Sequence, residues 1–188
     1  MIKEQLKKAE IGIVKKQDIS ENQANIIFLS LGSNIGNRKK NLEKAKYLLG
    51  FNKVDIIKVS SFYETESWPY KNFPKYLNIV IKGKTPLSPM KIFKLAKKIE
   101  KKLGRKNTKK NYPRICDIDI LDYNKKSISL NIDDNNLTIP HPRMHCRNFV
   151  LLPLFEVERN WFHPINKVKI SRLLSNINNN NLRNVKIL

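Results

Sequence analysis

The residues best suited to chemistry lie in Pro113-Arg114-Ile115-Cys116-Asp117-Ile118-Asp119-Ile120-Leu121. Side chains alternate across an extended strand, so Asp117 and Asp119 project from one face with Cα atoms roughly 6.5–7 Å apart, while Cys116, Ile118 and Ile120 project from the other. Two carboxylates so close repel each other, and on a half-buried strand cations must relieve the cost. Hard oxygen ligands favour Mg²⁺, and paired catalytic metals about 3.5–4 Å apart fit the span of such a pair. Alternating aspartates also occur on ordinary exposed strand edges, and a bare Asp-x-Asp does not separate the two readings. The neighbourhood adds weight: Arg105-Lys106-Asn107-Thr108-Lys109-Lys110 and then Arg114 precede the pair. Cations for phosphate oxygens and carboxylates for metal ions thus converge, as Mg-nucleotide chemistry requires. Neither a GxxxxGKS loop nor a kinase glycine-rich loop is present, so the familiar phosphate cradles do not account for the site.

Such a pair needs a sheet beneath it. Ile26 to Leu31 is a short apolar strand closed by Gly32-Ser33-Asn34, after which Leu42, Ala45, Leu48 and Leu49 recur at helical spacing. Val54 to Tyr63 and Tyr76 to Ile81 are rich in β-branched and aromatic residues, and the loop between them holds Trp68-Pro69 and Phe73-Pro74. Ser88 offers an N-cap, Pro89 a first helical residue, Phe93, Ala96, Ile99 and Leu103 an apolar face, and Gly104 a C-terminal cap. After the basic loop, Ile115 to Tyr123 alternates as a strand, and Asn148 to Val157 reads as a short helix. The order βαββαβ predicts an α+β, ferredoxin-like core with a mainly antiparallel sheet and helices packed on it. Residues 25–170 are expected to form this domain, between a basic arm over 1–24 and an Asn-rich tail over 171–188.

The chain's 188 residues suit one domain. No apolar run approaches the roughly 20 residues of a membrane span, and the first residues lack the apolar stretch of a secretory signal, so a soluble cytoplasmic protein is expected. Cys116 and Cys146 are too few for a disulfide framework and lack zinc-ligand spacing. Lys and Arg number 37 against 16 Asp and Glu, and the formal charge of +21 attracts polyanions in general. Most of that charge is lysine interspersed with asparagine, a compositional bias spread over solvated faces, and it selects no partner.

From about Ile26 to Val157 the chain resembles the 6-hydroxymethyl-7,8-dihydropterin pyrophosphokinase family in five collinear blocks. They are Phe28-Leu29-Ser30-Leu31-Gly32-Ser33-Asn34-Ile35-Gly36-Asn37, Val59-Ser60-Ser61-Phe62-Tyr63-Glu64-Thr65, Tyr76-Leu77-Asn78, Arg114 with Asp117-x-Asp119, and Thr138-Ile139-Pro140-His141-Pro142-Arg143-Met144-His145-x-Arg147-x-Phe149. The resemblance implies that Asp117 and Asp119 hold two Mg²⁺ ions bridging the phosphates of ATP, with Arg114 and Arg105 on phosphate oxygens. Lys97, Glu100, Ile120, Thr138, His141 and Arg147 match positions around the nucleotide. Tyr76 and Phe149 match an aromatic pair that sandwiches the pterin ring, Asn78 an amide that reads its edge, and Thr65 and Trp68 further residues of that pocket. Stacking on a flat heteroaromatic ring and an amide that both donates and accepts are chemically apt for a pterin.

The implied reaction transfers the pyrophosphoryl group of ATP to 6-hydroxymethyl-7,8-dihydropterin, giving AMP and the pterin diphosphate in folate biosynthesis. The implied enzyme is a monomer, free of nucleic acid and membrane, with neighbouring folate-pathway enzymes as its contacts. The chain departs from the family where Tyr112 stands at a usual glycine, where the basic loop is slightly shortened, and where Glu66 and Trp68 replace a common proline and an aliphatic residue. Two other readings stay open. An RNA-binding module would show clustered RGFGF-type sheet aromatics, which the central strands lack. A different Mg-dependent nucleotidyl- or phosphotransferase would release a by-product other than AMP.

Overall fold

A computed structural model describes residues 24–106, 109, 111–132, 135–177 and 184–188. The expected basic arm, except Ala24, lies outside the described residues, as do Asn107, Thr108 and Lys110 of the basic loop and residues 178–183 of the tail.

β1 (Asn25–Ser33), α1 (Arg38–Phe51), β2 (Asp55–Val59), β3 (Tyr63–Thr65), β4 (Tyr76–Thr85), α2 (Pro89–Lys102) and β5 (Asp117–Tyr123) build the core. β6 (Ile128–Ile132) and β7 (Asn135–Ile139) form a hairpin, followed by a 3₁₀ turn at Met144–Cys146, α3 (Asn148–Val157), α4 (Ile170–Ser175) and β8 (Lys186–Ile187). The main sheet runs β5-β1-β4-β3-β8 with β2 also on β4, and all of these pairings are antiparallel. This is the expected ferredoxin-like arrangement with its second strand split in two. The split has a local cause. Ser60 N–H donates to Val80 O at 2.9 Å, but Val80 N–H turns to the Ser60 hydroxyl at 3.0 Å, and Ser61 N–H leaves the ladder for the Glu156 carboxylate.

The helices begin and end where local chemistry directs. The Asn37 side chain accepts from Lys40 N–H at the start of α1, and the Ser88 hydroxyl accepts from Lys91 N–H at the start of α2, with Pro89 as its first residue. α2 closes in a Schellman arrangement: Gly104 N–H donates to Lys101 O and Arg105 N–H to Glu100 O, each at 3.0 Å. Gly104 takes φ +97°, a conformation that an L side chain rarely adopts. The closure turns Arg105 back over the last helical turn.

The sheet has two unlike faces. Ile27, Leu29, Leu31, Ile79, Ile81, Ile118 and Ile120 point towards α1 and α2, where Leu42, Ala45, Ile92, Ala96 and Ile99 complete one core. Phe28, Val80 and Leu121 point the other way, into a second core with α3, Trp161 and α4. The β1–β5 register shifts between Phe28, opposite Asp122, and Leu29, opposite Ile120. Leu121 is therefore an extra residue. Strict alternation would have sent Asp122 into the α1/α2 core; the bulge brings it to the α3 side, where it accepts from Trp161 Nε1 at 2.7 Å and Lys125 N–H at 2.8 Å. α4 straddles the boundary expected at residue 170, with Ile170 and Leu173 buried beside α3. Farther on, β8 extends the sheet at β3 and Leu188 N–H reaches Phe62 O at 2.9 Å.

Candidate active site

Gly32 on β1 stands opposite Asp117 on β5 and Asn78 on β4, and Asn78 stands opposite Tyr63 on β3. Cross-strand neighbours share a face. Asp117 and Asn78 therefore look out on the same side with only a glycine between them, past the N-terminal end of α3. A Cβ added at Gly32 would meet Asn78 Oδ1 at 3.0 Å and the Tyr76 ring at 3.5 Å, so the missing side chain is what lets these two residues lie over β1.

Asp117 and Asp119 share that face, as strand alternation requires, while Cys116, Ile118 and Ile120 are buried in the α1/α2 core. Their surroundings differ. Asp117 Oδ1 meets Arg105 NH1 at 2.7 Å and Oδ2 meets Arg114 NH1 at 3.0 Å. Burial alone would push the Asp117 carboxyl up, but Arg114 and Arg105 together hold it below the usual carboxylate range. Among the described residues, Asp119 has only His141 Nε2 at 3.9 Å and Arg147 NH1 at 3.8 Å, too far for hydrogen bonds. Burial and the charge of Asp117 push it upward. The His141 Nδ1 accepts from Arg143 N–H at 3.2 Å, which leaves the proton of the neutral ring on Nε2, facing Asp119. Burial lowers the His141 pKa, with Arg147 and Arg143 acting in the same direction.

Glu100, buried at the end of α2, ties the helix to the site. Its Oε1 accepts from Ile118 N–H at 2.8 Å, its carboxylate meets Lys97 Nζ at 3.0 Å, and Arg105 bridges it to Asp117. Burial raises its pKa, and Lys97 opposes that shift. Burial likewise works against the charge of Arg105, but Asp117 and Glu100 outweigh it and hold the guanidinium protonated more firmly.

On the other side of Gly32, Asn78 Nδ2 donates to Thr65 Oγ1 at 3.0 Å. Tyr76 is half-buried beside it, its phenol pushed up by burial and then by Asp117. Phe149, at the start of α3, carries the Arg147 guanidinium 5.5 Å from its ring centroid. Three expected residues are not gathered. Trp68 is 67% exposed. The half-buried Thr138 has no hydrogen bond or ion pair to the carboxylates among the described residues. The Ile120 side chain lies in the α1/α2 core, because the alternation that points Asp117 and Asp119 outward points Ile120 inward.

The sequence gives no hint of the residue that joins these parts. Asn34 is 2% exposed. Its Oδ1 accepts from Arg114 N–H at 2.6 Å, its own N–H donates to Arg114 O at 3.0 Å, and its Nδ2 donates to Ser67 Oγ at 3.2 Å and Pro74 O at 3.1 Å. An asparagine closing Gly32-Ser33-Asn34 reads as turn chemistry, and its type says nothing of distant partners. The ring of Tyr112 also packs on Phe73 at 5.4 Å, and Phe73 on Tyr70 at 5.1 Å. At this departure from the family pattern the left-handed backbone is taken by Asn111, at φ +65°.

Among the described residues no group of three or more His, Cys, Asp or Glu is arranged for a metal ion. A cavity of about 880 Å³ lined by Glu43, Tyr47, Phe51 and Lys84 adjoins Ala24, at the end of β1 away from the carboxylates. No helix among the described residues is long and apolar enough to cross a membrane.

The family model for 7,8-dihydro-6-hydroxymethylpterin-pyrophosphokinase (HPPK) matches residues 28–159, from within β1 to just past α3. The 2-amino-4-hydroxy-6-hydroxymethyldihydropteridine pyrophosphokinase of Aquifex aeolicus is 40% identical over 143 residues, covering 74% of this chain and 84% of its own. That of Bacillus subtilis is 42% identical over 134 residues, covering 71% and 78%. The folate synthesis bifunctional protein of Arabidopsis thaliana is 40% identical over 132 residues, 70% of this chain but 26% of its own. Among solved structures, a Plasmodium falciparum HPPK-DHPS triple mutant superposes with a TM-score of 0.73 over 91% of this chain and 49% of that one; at 20% identity this speaks for the fold alone. With a model match over most of the chain and two relatives aligned over most of their own length, the chain belongs to the 7,8-dihydro-6-hydroxymethylpterin-pyrophosphokinase family.

Proposed function

We propose that the sheet face past α3 holds ATP and 6-hydroxymethyl-7,8-dihydropterin side by side, with Asp117 and Asp119 as the ligands of two Mg²⁺ ions. The reaction itself comes with the family: an ATP-dependent transfer of the pyrophosphoryl group to the pterin hydroxymethyl in folate biosynthesis, leaving AMP. Two carboxylates, with no group of three or more such ligands among the described residues, suit magnesium, which keeps several waters and takes its other ligands from substrate phosphates. Held there by Asp117 and Asp119, Mg²⁺ would offset the charge that develops on the transferred phosphates.

The protein's own groups divide the remaining work. Arg105 and Arg114, paired with Asp117, would exchange that carboxylate for phosphate oxygens, which accept strong charge-assisted bonds from guanidinium groups. Lys97, Glu100, His141, Arg147 and Thr138 take the nucleotide, with the backbone of Ile120 on the edge strand β5. Asn78, its amide nitrogen held by Thr65, presents its carbonyl oxygen to the pterin edge; Tyr76 and Phe149 flank the ring, and Trp68 covers it from the exposed side. The hydroxymethyl oxygen then attacks the β-phosphorus in line while the arginines stabilise the charge. In this reading the enzyme is a cytoplasmic monomer of residues 25–170 that acts on these two small molecules, not on nucleic acid, and meets neighbouring folate-pathway enzymes.

The row Asp117–Gly32–Asn78 supports the reading best, because the proposed metal ligand on β5 and the proposed pterin amide on β4 flank β1 with only a glycine between them. Incubation with ATP, Mg²⁺ and the pterin, followed by mass detection of nucleotide products, tests it. AMP should form, and Asp117→Asn should abolish it. ADP or free diphosphate as the product, or normal turnover by the variant, would overturn the assignment.

A further inference from the structure

We infer that Asn34 is a positioning residue: a single buried amide that sets the 66–75 loop and Arg114 relative to each other, and thereby aligns the pterin half of the site with the phosphate half. The inference rests on the site reading above. Asn34 is 2% exposed and uses its whole amide. Its Oδ1 takes Arg114 N–H at 2.6 Å, and with the bond from its own N–H to Arg114 O at 3.0 Å it grips that residue's backbone at both ends. The origin of the Arg114 side chain is fixed in this way, 3.0 Å from Asp117 Oδ2 at its far end.

The two amide protons go to the other half. They reach Ser67 Oγ at 3.2 Å and Pro74 O at 3.1 Å, and the Ser67 hydroxyl itself donates to Pro74 O at 2.6 Å. The excursion between β3 and β4 is thus pinned at its neck. Thr65 lies two residues before Ser67 and Tyr76 two residues after Pro74, and these two face each other in the β3–β4 register. Both flanks of the pterin pocket start from points that Asn34 holds. Only an amide combines an acceptor with two donors on one rigid plane at this reach; aspartate lacks the donors and serine has a single proton.

Two variants separate the halves. Ser67→Ala removes the two bonds that Ser67 makes at the loop neck and leaves the Pro74 and Arg114 bonds of Asn34 intact; Asn34→Ala removes every side-chain bond to both halves and leaves only its backbone bond to Arg114 O. Steady-state kinetics, calorimetric titration with a non-hydrolysable ATP analogue and Mg²⁺, and thermal unfolding are measured on each, with Asp117→Asn in parallel. Ser67→Ala should raise the KM for the pterin roughly tenfold, the scale of one lost hydrogen bond, with the KM for ATP within twofold. Asn34→Ala should raise both KM values and lower kcat about 100-fold, the cost of misplacing groups by about 1 Å. A merely structural role would lower the melting temperature without this split between substrates. Asn34→Ala with kcat and both KM values within twofold of wild type, beside an inactive Asp117→Asn, would overturn the positioning role and leave the site standing. An active Asp117→Asn would instead overturn the site. Should Asn34→Ala fail to fold, an unchanged pterin KM in Ser67→Ala overturns the inference by itself.

Discussion

β5 carries two carboxylates five residues apart, Asp117 and Asp122, that the Leu121 bulge brings to the same face of the sheet, and they sit in opposite kinds of surroundings. Asp122, 0% exposed, lies under the α3 end and is satisfied by the Trp161 indole and a backbone N–H. Asp117, with 24% of its side chain exposed, is satisfied by two guanidinium groups that follow α2. The strands around them repeat the contrast: Phe28, Val80 and Leu121 fill one half of the face, while Gly32, Asn78 and Asp119 occupy the other. Neutral donors on fixed elements make a carboxylate part of the framework. Cationic donors on connecting segments hold one that can be handed to a ligand. The two halves should therefore break differently when altered, activity failing in one and stability in the other.

The largest effect belongs to the open half. Asp119→Ala should lower kcat/KM by at least about 10³-fold, since metal-assisted charge stabilisation contributes several kcal/mol. The same change should leave the melting temperature equal or higher, because among the described residues Asp119 has no ion-pair partner closer than 3.8 Å and it is repelled by Asp117. Steady-state assays paired with thermal unfolding check both statements, and a variant that lost activity only in proportion to its folded fraction would erase the contrast.

Next comes the closed half. Trp161→Phe leaves Asp122 Oδ2 without its indole donor in a buried site, at a cost of about 1–3 kcal/mol in denaturant unfolding, with KM and kcat unchanged. The cost has a direction in pH. Burial already raises the Asp122 pKa above the ordinary value, and the Trp161 bond opposes that shift. Loss of the indole raises the folded-state pKa further, so the ionised carboxylate costs more stability above the unfolded value, and protonation relieves the cost as pH falls. The gap between variant and wild type should be wider at pH 7 than at pH 4. An equal gap at both would mean that packing, not the donor, is what Trp161 supplies.

How far these halves could be read from sequence follows from the range of the interactions involved. α2 was legible through Ser88, Pro89 and Gly104, α3 through its apolar run, and the outward pair Asp117 and Asp119 through alternation alone, because each signal is local. Alternation also explains why the expected role of Ile120 cannot lie in its side chain. The split at Ser60, the extra residue at Leu121 and the pairing of β8 on β3 arise from contacts between distant segments, and nothing in the neighbouring residues announces them. Asn34 is the sharpest case, since its side-chain partners lie 33, 40 and 80 residues away.

Gly32 stands on the border and should give a smaller, one-sided effect. A methyl group there lies 3.0 Å from Asn78 Oδ1, whose amide is anchored to Thr65, so the carbonyl must yield by a few tenths of an ångström. Gly32→Ala should raise the pterin dissociation constant about tenfold, equivalent to roughly 1.4 kcal/mol, with nucleotide binding unchanged. Calorimetric titration of each substrate checks this; equal losses for both would place the glycine in the phosphate half as well.

The smallest effect should come from Tyr112, where the family commonly has glycine. Its ring joins the segment before Arg114 to Phe73 of the 66–75 loop at the surface, while Asn34 joins the same two segments beneath. A tilted aromatic pair contributes about 0.5–1.5 kcal/mol when well buried, and Tyr112 is 39% exposed, so the low end applies. Tyr112→Gly should raise the pterin KM about two- to threefold and leave kcat unchanged, which is what about 0.5 kcal/mol allows. Tyr112→Phe, which keeps the ring, should match wild type. A fall in kcat of tenfold or more in Tyr112→Gly would mean that the exposed rings, and not the buried amide, hold the two loops in register, and the open half would then owe its alignment to contacts that solvent can reach.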